Sequence, residues 1–92
     1  MRWMKNPYVT FPDETEVTHS DLLPDGTVKV YIETPVNGGF HHAMCSLPPY
    51  QWIDIQGYSK EEMKRWDDFI HHNAHIILSL AAEGGFDRAT AV

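Results

Sequence analysis

The period of hydrophobic and polar positions changes once along this chain, near residue 57. Up to Ile55 the alternation is two-fold, as in strands that bury one face. From Ser59 onward apolar residues return every three or four positions, the period of an amphipathic helix. At about 100° per residue, Met63, Trp66, Phe69, Ile70, Ala74, Ile76, Ile77, Leu80 and Ala81 gather on one arc. Lys64, Arg65, Asp68, His71, His72, His75 and Ser79 occupy the other side.

Both ends of this helix are written locally. Ser59-Lys60-Glu61-Glu62 forms a capping box: the Ser59 hydroxyl accepts from the Glu62 amide while the Glu62 carboxylate accepts from the Ser59 amide. Tyr58 and Met63 stand at the two positions of a hydrophobic staple. Gly84-Gly85 supplies a residue free to adopt the left-handed conformation that ends a helix. The predicted span is residues 60–83. Asn73 falls inside the apolar arc, where an unpartnered amide costs about 1–3 kcal/mol, so it is expected to pin helix to sheet through hydrogen bonds.

Upstream, turn residues cut the two-fold alternation into strands over residues 8–11, 15–19, 27–34, 40–47 and 50–55. The breaks are Pro12-Asp13, Pro24-Asp25-Gly26, Asn37-Gly38-Gly39 and Pro48-Pro49. The expected fold is α+β: an antiparallel β-meander of four to five strands over residues 8–55, with one long C-terminal helix packed on one face. One domain of 92 residues accommodates it, and residues 86–92 are expected to form a loose tail.

Alternation sorts the strand residues into two faces. Val9, Phe11, Val17, Val28, Val30, Ile32, Ala43, Cys45, Leu47, Ile53 and Ile55 form the expected helix-facing set. Tyr8, Thr10, Glu16, Thr18, Lys29, Tyr31, Glu33, Phe40, His42, Met44, Tyr50 and Trp52 form the opposite set. One helix covers one face. Towards the later strands the opposite set turns aromatic, and Tyr31, Phe40, His42, Met44, Tyr50 and Trp52 are therefore the predicted partner-binding residues, of types enriched where proteins meet. The expected occupant is a protein partner or a second copy, unless Trp3, Met4 or Phe86 folds back over the rings.

Charge narrows the partners. Seven Lys and Arg against thirteen Asp and Glu give a net charge of −6, and Asp13, Glu14, Glu16, Asp21 and Asp25 lie in a stretch without lysine or arginine. Direct nucleic-acid binding, which needs cations against phosphates, is disfavoured. An acidic surface can instead occupy the basic groove of a nucleic-acid-handling protein. No apolar run is long enough to span a bilayer, and MRWMKNP lacks the apolar core of a secretory signal. A single cysteine, Cys45, excludes an internal disulfide; a cytoplasmic protein without a cofactor is expected.

Histidines are the main candidates for chemistry. Asp68, His71, His72 and His75 project from the polar side of the helix, Asp68 one turn before His71 and His72 and His75 one turn after His71, a spacing that can bring two or three to a metal ion. HHNAH lacks the glutamate of zinc-protease helices and a second spaced ligand pair. Cys45 and His41 share strand parity but stand about 13 Å apart along extended chain, beyond hydrogen-bond reach. No phosphate-loop spacing accompanies Gly38-Gly39 or Gly84-Gly85.

The segments NPYVTFPDETEVTHSDL, LPPYQW, GYSKEE and NAHIILSLAAEGG resemble those of a small bacterial or phage protein family of uncharacterised activity, over nearly the whole chain. The resemblance implies a prokaryotic or phage origin and a single compact domain. Asn73-Ala74-His75 and Gly84-Gly85 fit its pattern; His71 and His72 fall outside it. The expectation is a non-enzymatic interaction protein of the inhibitor or accessory class, antitoxin-like or anti-defence. The rival is a metal-binding protein built on the helix histidines.

Overall fold

A computed structural model describes residues 6–83. Five strands, β1 (Asn6–Thr10), β2 (Glu16–His19), β3 (Val28–Val36), β4 (Gly39–Leu47) and β5 (Gln51–Gln56), precede one helix, α1 (Lys60–Ala82). The strands pair antiparallel in sequence order, β1-β2-β3-β4-β5. This is the expected α+β meander with a long C-terminal helix. The expected tail, the Gly84-Gly85 stop and the fold-back of Trp3, Met4 or Phe86 lie outside the described residues.

The turns form where backbone-capping residues stand. The Asp13 carboxylate accepts from the Thr15 amide at 3.0 Å, and Asp25 accepts from both the Thr27 amide (3.0 Å) and hydroxyl (2.6 Å). Gly38, at φ 84°, makes the tight β3–β4 reversal that a side chain would oppose. At the start of α1 both halves of the capping box are present: the Ser59 amide donates to Glu62 Oε1 at 2.8 Å and the Glu62 amide to Ser59 Oγ at 3.1 Å. Tyr58 and Met63 both pack against the core there.

Val17, Val28, Val30, Ile32, Cys45 and Leu47 from one sheet face pack against Trp66, Ile70, Ala74, Ile77 and Ala81. Each large aliphatic side chain so buried contributes about 1.5–3 kcal/mol. Phe11 joins from the β1–β2 turn, edge-on to Trp66 and Phe69 with ring centroids 5.5 Å from each. Ile76, placed on the apolar arc by its angle, is exposed, and Leu78 packs against the core instead.

Two bulges depart from simple alternation. In β1 the register shifts between Pro7 and Val9, making Tyr8 the extra residue; in β5 it shifts where Met44 faces Asp54 and Cys45 faces Trp52, making Ile53 the extra residue. An extra residue inverts the facing of what lies beyond it. Tyr8 and Trp52, expected on the open face, therefore turn to the helix. Tyr8 donates its hydroxyl to Asn73 Oδ1 at 2.7 Å, and Trp52 donates Nε1–H to Asp67 Oδ1 at 3.0 Å. Ile53 and Ile55, expected in the core, are 53% and 44% exposed.

The two edge strands thus hold the helix from either flank, since Asp67 and Asn73 are about 240° apart around its axis. Asn73 also donates to the Phe69 carbonyl at 2.8 Å, so the amide inside the apolar arc is satisfied at both ends.

Candidate partner-binding face

The face of the sheet away from α1 carries the rows that alternate with the buried ones. Cross-strand pairs place Glu16 beside Glu33, Thr18 beside Tyr31, Tyr31 beside Met44, Glu33 beside His42, and Pro35 beside Phe40. Of the six predicted partner-binding residues, Tyr31, Phe40, His42 and Met44 are brought together here. Tyr50 and Trp52 are not: Trp52 faces the helix, and the Tyr50 ring stacks on the His71 imidazole with centroids 3.8 Å apart.

Much of this face is held in place by its own contacts. The Tyr31 and His42 rings stack with centroids 5.8 Å apart, and His42 Nε2 lies 3.1 Å from Asp54 Oδ2. The Lys29 ammonium donates to Thr27 Oγ1 at 2.8 Å and Ser46 Oγ at 3.1 Å, laying its stem across the β2–β4 end of the face. Phe40 differs from these neighbours. Near the β3–β4 tip, paired with Pro35, this residue is 58% exposed.

Beside Phe40 is a pocket of about 460 Å³ lined by Thr10, Glu14, Glu16, Glu33, Pro35 and Phe40. Its wall is aromatic and its rim carries three carboxylates, the arrangement that favours a cationic group on an apolar stem. The Glu14 backbone, at φ 70°, sits at the β1–β2 turn that brings this carboxylate to the rim. Sequence reasoning placed acids in this stretch but did not foresee that the turn would fold Glu14 and Glu16 against Phe40.

A second concavity, about 480 Å³, opens on the helix side between Phe11, Pro12, Asp13, Arg65, Trp66 and Phe69. Hydrogen bonds from the Thr15 amide and hydroxyl hold the Asp13 carboxyl below the usual carboxylate range. This groove is chiefly apolar, with one charge of each sign at its edge.

The helix histidines are not brought to a common point. His71 Nδ1–H donates to the Asp67 carbonyl at 2.8 Å and His72 Nδ1–H to the Asp68 carbonyl at 2.7 Å, each one turn back. Each ring is thereby turned along its own line of the helix, His71 against Tyr50. His75 stands exposed one turn further on. Among the described residues no three His, Cys, Asp or Glu side chains form a metal-holding group. Asp68, His71, His72 and His75, the residues expected to share a metal ion, are not drawn together as a group among the described residues. Asp67, rather than Asp68, is the acid beside His71, at 3.5 Å, and sequence reasoning assigned it no role.

Cys45 is fully buried, and burial pushes its thiol up to about 11, so little reactive thiolate forms near neutral pH. Tyr58, whose hydroxyl lies 2.7 Å from Thr34 Oγ1, is raised above its ordinary value by the same desolvation. No helix among the described residues is long and apolar enough to cross a membrane. Comparison with protein-family models, curated proteins and solved structures returned no match in any of the three.

Proposed function

We propose that this protein is a cytoplasmic binding module, not an enzyme, that meets a protein partner through the open sheet face centred on Tyr31, Phe40, His42 and Met44. The observation that carries this reading is Phe40, a residue left 58% exposed near the β3–β4 tip beside a pocket lined by Glu14, Glu16 and Glu33. An exposed aromatic anchor next to same-sign charge is how a small acidic protein engages a basic surface: the ring supplies binding energy, and the carboxylates supply attraction and choice of partner. With a net charge of −6, the chain is suited to cover a cationic, nucleic-acid-binding surface of another protein. The role this reading proposes is that of an inhibitor or accessory protein, antitoxin-like or anti-defence, in a bacterial or phage setting.

Capture from native-host lysate with three baits tests the reading. Wild type and His75→Ala are expected to retain the same specific protein, and Phe40→Ser to lose it while keeping its circular dichroism and melting temperature. Equal capture by Phe40→Ser and wild type would count against the face.

A further inference from the structure

The groove of about 480 Å³ on the helix side is walled by two separate parts of the fold. One wall is the β1–β2 turn. There the Phe11 amide donates to the Thr15 carbonyl at 2.8 Å, the Glu14 amide to the Phe11 carbonyl at 2.9 Å and the Thr15 amide to Asp13 Oδ1 at 3.0 Å, which fixes Phe11, Pro12 and Asp13 as one unit. The other wall is α1, where Arg65 and Phe69 stand one turn apart with Trp66 beside them. Phe11, Trp66 and Phe69 meet edge to face with ring centroids 5.5 Å, 5.5 Å and 6.0 Å apart, so the groove is in place before anything enters it. Its volume lies in the range of roughly 300–1,000 Å³ typical of small-molecule sites, which are likewise mostly apolar with a few polar groups.

The polar edge of the groove selects among occupants. Asp13 and Arg65 are close enough for the guanidinium to favour the ionised carboxyl, yet they form no ion pair with each other. The Arg65 side chain is exposed and makes no hydrogen bond or ion pair among the described residues. A purely apolar guest would leave both charges unanswered, and a guest of a single charge would meet one like charge. A zwitterion meets each with its opposite. In an α-amino acid the ammonium, the carboxylate and the side chain leave the same carbon, so both charges can stay at the edge while an aromatic side chain enters among the three rings.

We propose that this groove binds a free α-amino acid with an aromatic side chain: its carboxylate accepts from Arg65, its ammonium donates to Asp13, and its ring lies against Phe11, Trp66 and Phe69. The site is on the other side of the sheet from the open face, so the inference does not depend on the function proposed above.

Amide chemical-shift titration of wild type with L-phenylalanine tests it, beside phenylpropionate, which lacks the ammonium, phenethylamine, which lacks the carboxylate, and glycine, which lacks the ring. L-Phenylalanine is expected to give saturable shifts at Phe11, Asp13 and residues 65–69, and each analogue to bind about 5-fold more weakly or worse. Arg65→Gln, at an exposed position, is expected to weaken phenylalanine about 5-fold or more and to leave phenethylamine unchanged. Shifts that stay linear up to the solubility limit overturn the inference, as do saturable shifts confined to other residues, an analogue that binds as tightly as phenylalanine, or a folded Arg65→Gln that binds it like wild type. Should Arg65→Gln fail to fold, the analogue series on wild type decides.

Discussion

Truncating Trp52 to alanine tests the bulge at Ile53, because the bulge alone determines which side of the sheet that indole occupies. On the solvent face such a truncation costs within about 0.5 kcal/mol. Against the helix two contributions are lost. Removing a fully buried tryptophan costs about 3–5 kcal/mol; Trp52 is half-buried, so about 2 kcal/mol is assigned to packing. The Nε1–H bond to the Asp67 carboxylate contributes about 1.5 kcal/mol when sheltered, reduced to about 1 because the Asp67 side chain is 44% exposed and water can replace the indole. The expected loss is about 3 kcal/mol, from a total of roughly 5–14 kcal/mol for a domain of this length. Urea unfolding followed by far-ultraviolet circular dichroism measures it, and the melting temperature should fall by about 12–24 °C. Trp52→Phe, which keeps much of the packing, should lose about 1 kcal/mol, and a double-mutant cycle with Asp67→Ala should return a coupling of similar size. Both Trp52 variants within 0.5 kcal/mol of wild type would refute the assignment.

Other perturbations probe separate parts of the fold. Gly57 has φ 94° and a Cβ there would collide with the His41 imidazole, so Gly57→Ala should destabilise by about 2 kcal/mol or more in thermal melts. Ser59→Ala removes the capping hydroxyl and should cost about 1 kcal/mol by urea unfolding. The Ser59 amide holds the Glu62 carboxyl below its ordinary value of 4.5, so this half of the box is complete above that pH and is lost as pH falls through the lower folded value; the stability deficit of Glu62→Ala should shrink on acidification. Cys45, buried with its thiol raised to about 11, should react with a disulfide reagent at pH 8 only as fast as the protein unfolds, and at ordinary thiol rates in urea.

The features legible in the sequence are those fixed by neighbouring residues. The capping box needs four consecutive positions, the turns need Asp13, Asp25 and Gly38, and the faces of β2 through β4 follow an unbroken two-residue period. What failed was nonlocal. Nothing near Tyr8 or Ile53 marks a bulge; each is settled by an aromatic side chain with a polar tip reaching an acceptor on the helix, Asn73 or Asp67, 65 and 15 positions away. A tryptophan beside an isoleucine on an edge strand leaves alternation ambiguous, and burying the large ring with its N–H paired prevailed over burying Ile53; Ile55, paired with Ala43, keeps the helix-facing side and is still 44% exposed. The histidine spacing says less than it first suggests, for a different reason. Spacing along a helix brings side chains near one another but does not set their rotamers, and His71 and His72 each turn back to a backbone carbonyl.

The central claim is that the Phe40 tip is covered by a protein in the cell. Site-specific photo-crosslinking from position 40 in the native host, with position 75 on the exposed side of α1 as control, measures this most directly. A discrete adduct to one protein from position 40, with none from position 75, is the predicted result. No adduct from position 40, or the same adducts from both positions, would contradict the account.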